Sequence, residues 1–114
     1  MQIIKQKKTR RVDASATTSV EEYVMRERRI SGATAIISGR YPEEGFATNA
    51  VSTELVLVLS GNGVIGNRGK ETPIEMGDCI LLKPKEKYYW DGHFALFIVC
   101  TPTWKPKQHH IVKR

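Results

Sequence analysis

ELVLVLSGNGVIG, residues 54 to 66, is the stretch on which the fold turns. A carboxylate opens it, five alternating leucines and valines follow, and a glycine-punctuated segment closes it. Side chains alternate across a strand, so Glu54, Val56 and Val58 share one face while Leu55, Leu57 and Leu59 share the other. Apolar residues on both faces imply a strand covered on both sides: one face lines a barrel interior, and a second layer or a partner subunit covers the other. If Glu54 faces that interior, its carboxylate must be paired, hydrogen-bonded, metal-bound or protonated. Placed at the mouth of the strand, it would simply reach water.

Further short apolar runs lie on either side: ATAIIS (33 to 38), CILL (79 to 82), YYW (88 to 90) and ALFIVC (95 to 100). YPEEG, SGNG, GNRGKE, EMGD, KPKEK and WDG stand between the runs, each carrying the Gly, Asn, Asp or Pro that tight turns need. No helix-period segment intervenes, so the pattern predicts antiparallel pairing in an all-β sandwich or barrel. Ahead of it, residues 1 to 17 form a basic N-terminal extension, and residues 18 to 114 form the barrel domain. Thr18 or Ser19 could cap a helix with Glu21 and Glu22 in its first turn, or Tyr23-Val24-Met25 could open a strand.

With 114 residues, the chain fits one domain with one core. Its 40% hydrophobic and 26% charged residues are ordinary globular usage. LVLVL is too short to span a bilayer and the N-terminal segment lacks the apolar stretch of a signal peptide, so a cytoplasmic location is expected and no membrane partner. Cys79 and Cys100 sit inside apolar runs, a spacing that fits neither a disulfide framework nor a metal knuckle, so both are expected to be buried and reduced. The net charge of +6 is concentrated at the termini, with Lys5, Lys7, Lys8, Arg10 and Arg11 at one and Lys105, Lys107, Lys113 and Arg114 at the other. Terminal charge of this kind reads as solvating. With no aromatic residue interleaved for base stacking, nucleic acid is not an expected partner.

The spacing of Glu54 to Gly61, with six residues between them, resembles the first motif of the cupin superfamily, a His-x-His pair before a Glu that is followed after six residues by Gly. GDCILLKPKEKYYW, residues 77 to 90, resembles the second: Gly77, five residues, Lys83 and Lys85 where the family favours Pro and Gly, then Tyr88 where it has His. Fifteen residues, 62 to 76, separate the two motifs, and PTWKPKQHHIV is similar to the tail of small single-domain cupins. The resemblance covers about residues 30 to 112. It implies a double-stranded β-helix, a jelly-roll barrel, and a homodimer formed through an outer apolar sheet.

A metal-dependent member would bring three His and one Glu, and of these only Glu54 is present. The histidine positions fall on Ala47 and Asn49 in one register and on Thr48 and Ala50 in the other, and Tyr88 stands in the second motif. Carboxyl and amide groups hold borderline transition metals poorly, so no metal or other cofactor is expected. Arg40, Asn49, Glu54, Tyr88 and Trp90 are the expected ligand-binding residues. Aromatic rings and a cation suit a small polar or anionic guest such as a sugar or an organic acid. A second reading is an enzyme, since the resemblance extends to sugar-nucleotide isomerases and epimerases. In it Glu54, Tyr88 and His93 or His109 transfer protons while Arg40 stabilises developing negative charge. A metal-using variant stands third. His109 and His110 are adjacent, so only one of them can face a given site.

Overall fold

The computed structural model describes residues 1–114 and contains nine β-strands with two short 3-10 turns. The strands are β1 (Arg10–Ser15), β2 (Thr18–Tyr23), β3 (Ser31–Tyr41), β4 (Phe46–Asn49), β5 (Thr53–Asn67), β6 (Lys70–Glu75), β7 (Cys79–Leu82), β8 (Tyr89–Thr101) and β9 (His109–Val112). Every pairing is antiparallel, and the main sheet runs β1-β2-β3-β8-β5-β6, with β7 beside the first half of β5. β4 pairs with β9 to form a separate two-stranded ribbon, tied back to the barrel where Ala47 bridges Tyr88. No helix is long and apolar enough to cross a membrane.

Two local expectations change. Thr18–Tyr23 is a strand paired along its length with Gly32–Ile37, and β1 within the basic lead pairs with β2. Backbone pairing to a neighbour satisfies more donors than one capped turn would, so the local helix-start signal loses to the sheet. The segments SGNG and WDG are not turns either. They lie inside the long strands β5 and β8, which bend together around a bulge between Val58 and Ser60. Gly61 makes the bend possible: its φ is +90°, and a Cβ there would run into the carbonyl oxygen of His93 on β8.

The alternation read from β5 holds. Glu54, Val56 and Val58 face inward, while Leu55, Leu57 and Leu59 face outward at 45%, 40% and 45% exposure. Val56, Val58, Leu96, Phe94, Trp90 and Ile37 fill the interior. Each such buried side chain contributes roughly 1.5–3 kcal/mol of transfer free energy. Cys100 is buried, but Cys79 is exposed, because β7 turns its Cys79 and Leu81 positions to the outer face. Neither cysteine is bridged.

Candidate functional site

Four strands and the C-terminal segment bring six polar side chains to one end of the barrel. Glu54 opens β5, where it pairs with Leu82 on one side and Cys100 on the other. Asn49 closes β4, and Tyr88 lies just before β8, held by two backbone hydrogen bonds to Ala47 (2.8 and 3.0 Å). Ala47 and Asn49 are the inward pair of β4, which settles the register of the first motif. At the second motif, Lys85 adopts φ +70°, the left-handed conformation suited to the glycine that the family favours there, and its N–H donates to the Asn49 carbonyl (2.7 Å).

Asn49 is the hub. The indole Nε1–H of Trp104 can only donate, so the amide atom it meets at 3.1 Å is Oδ1. The amide orientation follows: Nδ2 donates to Glu54 Oε2 at 2.8 Å. His109 Nδ1 lies 2.8 Å from the same Oδ1 and must therefore carry its proton. In the neutral ring Nε2 is then the acceptor, and it receives the Tyr41 hydroxyl at 2.7 Å. Tyr88 donates to the same oxygen, Glu54 Oε2, at 3.4 Å. A continuous path of polar groups thus runs from Tyr41 through His109 and Asn49 to Glu54 and Tyr88.

Burial sets the charge states. Asn49, Tyr88 and Glu54 are 4%, 5% and 7% exposed. Desolvation pushes the Glu54 carboxyl up to about 7, against the lowering effect of the hydrogen bonds from Tyr88 and Asn49. Burial and the nearby Glu54 charge raise Tyr41 to about 12 and Tyr88 well above the usual phenol range. Burial, with neighbouring His110, lowers His109, which keeps it neutral around pH 7. The Cys100 thiol is raised to about 12 by the same burial and the same carboxyl. Of all these groups, only Glu54 changes charge near neutrality.

Glu54, Asn49 and Tyr88 meet here as read from the sequence, and Trp90 adjoins them with its ring edge-on to Tyr88 at 6.5 Å. Arg40 does not: its guanidinium donates to the carbonyls of Pro42 (2.6 Å) and Gly45 (2.9 Å) and stacks on Tyr89, 4.0 Å from the ring centroid. His93 is also outside the cluster, on an exposed stretch of β8 opposite Ser38 and Asn62. His109 supplies the imidazole instead, with His110 exposed on the other face of β9.

Gln108 is a member of this region that the sequence does not single out. Its buried amide accepts from the N–H groups of Val51 and Ser52 (2.8 and 2.7 Å) and donates to Ser52 Oγ (2.6 Å), which pins the C-terminal segment over β4 and β5. Its only sequence signal is a polar residue wedged between prolines and histidines. Tyr41 is legible in the sequence beside Arg40, in RYP at the end of an apolar run.

The donor set does not fit the metal that the fold family implies. The four ligand positions hold Ala47, Asn49, Glu54 and Tyr88. Both nitrogens of His109 are engaged, and no three His, Cys, Asp or Glu side chains converge anywhere. No step of any mechanism is therefore assigned to a metal.

No family model matches the sequence, and no curated protein matches it. Solved structures do. A nucleoside dehydratase from Streptomyces superposes with a TM-score of 0.87 at 14% identity, covering 98% of this chain and 91% of the other. An RmlC-like cupin from Shewanella frigidimarina gives 0.75 at 12% identity over 92% and 94% of the two chains. Ectoine synthase from P. lautus gives 0.74 at 17% identity over 98% and 90%. Identities this low speak to architecture, and the strand order, the inward Glu54 and the left-handed Lys85 agree with it: the chain is a single small all-β domain with the cupin fold, a double-stranded β-helix closed as a jelly-roll barrel.

Proposed function

We propose that this protein binds a small, neutral, polyhydroxylated molecule at the Glu54 end of its barrel without a metal ion. The observation that carries this reading is the make-up of the cluster. A carboxyl, two phenols, an amide, an indole and a neutral imidazole offer several hydrogen bonds and no cation. An anionic guest would meet Glu54 unopposed, because Arg40 is committed to backbone carbonyls elsewhere. A sugar or a nucleoside fits better than an organic acid, because hydroxyls can both donate to Glu54 and accept from the phenols. The Streptomyces protein of the same fold has been seen with uridine, which makes nucleosides a natural first probe.

One observation favours turnover over binding alone. A carboxyl titrating at about 7 beside a phenol that stays protonated is the pairing needed to take a proton at one atom and return one at another. In this reading Glu54 is the base and Tyr88 the acid, for an isomerisation or elimination on a polyhydroxylated carbonyl compound. Tyr41, His109 and Asn49 hold the carboxyl in place.

Titration of the protein with uridine, neutral pyranoses and small carboxylates, followed by tryptophan fluorescence, tests the binding. Neutral ligands should respond and carboxylates should not. Silence across the panel, or a preference for carboxylates, would sink the reading. Stoichiometric transition metal in protein purified without chelator would overturn its metal-free character.

A homodimer through the exposed Leu55, Leu57, Leu59, Leu81 and Phe97 face goes with this reading, since apolar area of that extent usually meets a partner. Sedimentation at micromolar concentration should give twice the chain mass. A cytoplasmic setting, in which both cysteines stay reduced, completes it.

A further inference from the structure

The basic lead, read alone, is a solvating tail; the fold adds two distant segments to it. Gln2 and Arg26 exchange two hydrogen bonds, Arg26 N–H to Gln2 Oε1 at 2.8 Å and Gln2 Nε2 to the Arg26 carbonyl at 3.2 Å. Thr103 closes the other side, donating its N–H to the Arg28 carbonyl (3.0 Å) and its hydroxyl towards the carbonyls of Glu27 (2.7 Å) and Ile30 (3.1 Å). Segments 1–11, 24–31 and 101–108 therefore adjoin one another around the 24–31 loop.

Together these segments carry ten of the 18 Lys and Arg and one of the 12 Asp and Glu, a formal +9, while the rest of the chain is −3. All ten cations are exposed. Three ion pairs occupy three of the ten: Arg29 with Glu27 inside these segments, and Arg10 with Glu22 and Arg11 with Asp13, whose carboxylates sit on the adjoining β2 and β1. The other seven cations are exposed and make no ion pair. Among them stand Ile3, Val24, Met25 and Ile30, between 41% and 69% exposed.

We propose that this face docks the protein on an anionic lipid surface, with the lysines and arginines meeting the headgroups and the four aliphatic side chains entering the boundary beneath them. Clustered cations interleaved with exposed aliphatic residues are the chemistry of peripheral attachment, with no spanning segment required. Two other partners fit less well. A nucleic acid would use the charge but leave the aliphatics unexplained, and it would find no exposed aromatic platform: Tyr23 and Trp104 are half-buried, and the Trp104 indole is bound to Asn49. A second copy of the chain would set +9 against +9.

The test is co-sedimentation of the full chain with vesicles of phosphatidylcholine alone and of phosphatidylcholine with about one third phosphatidylglycerol. Binding should appear only on the anionic vesicles at low salt and fall as salt screens the charges. At about five-fold per lysine, K5E/K7E/K8E should weaken it by about 100-fold or more. Ile3→Ser with Met25→Ser should weaken it at unchanged salt dependence, and circular dichroism with thermal melting should show both variants folded. Equal binding to the neutral vesicles, no binding at all, or loss of affinity in neither variant would overturn the proposal. So would tighter binding to single-stranded or duplex RNA than to anionic vesicles at the same salt.

Discussion

The two ends of the barrel solve opposite problems with the same strands. At the end holding Val58, Phe94 and Leu96, the inward positions of β5 and β8 are apolar, and the ring of Phe94 meets that of Trp90, midway along the interior, edge-on at 5.8 Å. At the other end, the inward positions of β4 and β5 are Asn49 and Glu54, and the C-terminal segment adds Trp104 and His109. The first arrangement gains free energy from burial. The second spends it: a buried carboxyl held near pH 7 is an unfavourable group that the fold retains, and polar networks at such cost mark sites more often than structure. Stability lives at one end of the molecule and the proposed binding site at the other.

That contrast can be broken most forcefully at the apolar end. Leu96→Ala should destabilise the protein by about 3 kcal/mol or more, since Leu96 is fully buried and its neighbours on a closed barrel cannot collapse into the space. Chemical denaturation at fixed pH measures it, and a loss under about 1 kcal/mol would mean that the apolar end is not the source of stability.

At the polar end the sign reverses, and it depends on pH. The folded value for Glu54, about 7, lies above the ordinary 4.5, so the folded state holds this proton more tightly than the unfolded chain. The stability owed to this group is therefore greatest below about pH 4.5, declines as pH rises towards 7, and stays low above it. Glu54→Gln removes the titration while keeping an acceptor for Asn49 and Tyr88. Its stability relative to the parent should rise by on the order of 3 kcal/mol between pH 4.5 and 8, while any turnover is lost. A pH-independent difference between the two proteins would show that the carboxyl is not desolvated.

A smaller effect sharpens the role of the hub. Asn49→Ala leaves Glu54, Trp104 and His109 each short of a partner and should cost about 2 kcal/mol. It also removes one of the hydrogen bonds that lower the Glu54 carboxyl, so the titration seen in Trp104 fluorescence should move to higher pH. An unchanged midpoint would separate Asn49 from Glu54 electrostatically.

The smallest prediction concerns the turn that carries Asn49. Lys85 pays for its left-handed backbone, and Lys85→Gly should stabilise by up to about 1 kcal/mol, the relief of strain being offset in part by the greater freedom of glycine when unfolded. A destabilised variant would mean that the Lys85 side chain contributes more than its conformation costs.

Much of the apolar end was legible in the chain. The alternation in LVLVL separated its residues into two faces, of which the fold buries the one with Val56 and Val58, and the pairing of Tyr88 with Trp90 on one face followed from the same period of two. The polar end was legible only in part. Glu54, Asn49 and Tyr88 are close to one another in the two motifs, and their shared site follows from strand alternation and register. Tyr41, Trp104 and His109 come from a different strand and from the far end of the chain, and no local pattern says that a ring near residue 109 meets a hydroxyl at 41. His93 was misplaced because the bend that β5 and β8 share, set by Gly61 and the bulge, decides which residues past it still point inward, and Arg40 because the carbonyls of Pro42 and Gly45 just after β3 capture its guanidinium.

By itself, then, the sequence determined an antiparallel barrel, the division of β5 into a Glu54 face and a leucine face, and the absence of histidine at the motif positions, because side-chain alternation and donor chemistry are properties of short stretches. Tertiary structure alone decided which imidazole meets Asn49, that Arg40 is turned away, and that three basic segments share one face. The first and last of those outcomes depend on contacts between residues 24 to 76 positions apart, and nothing local encodes which distant segment a strand will find.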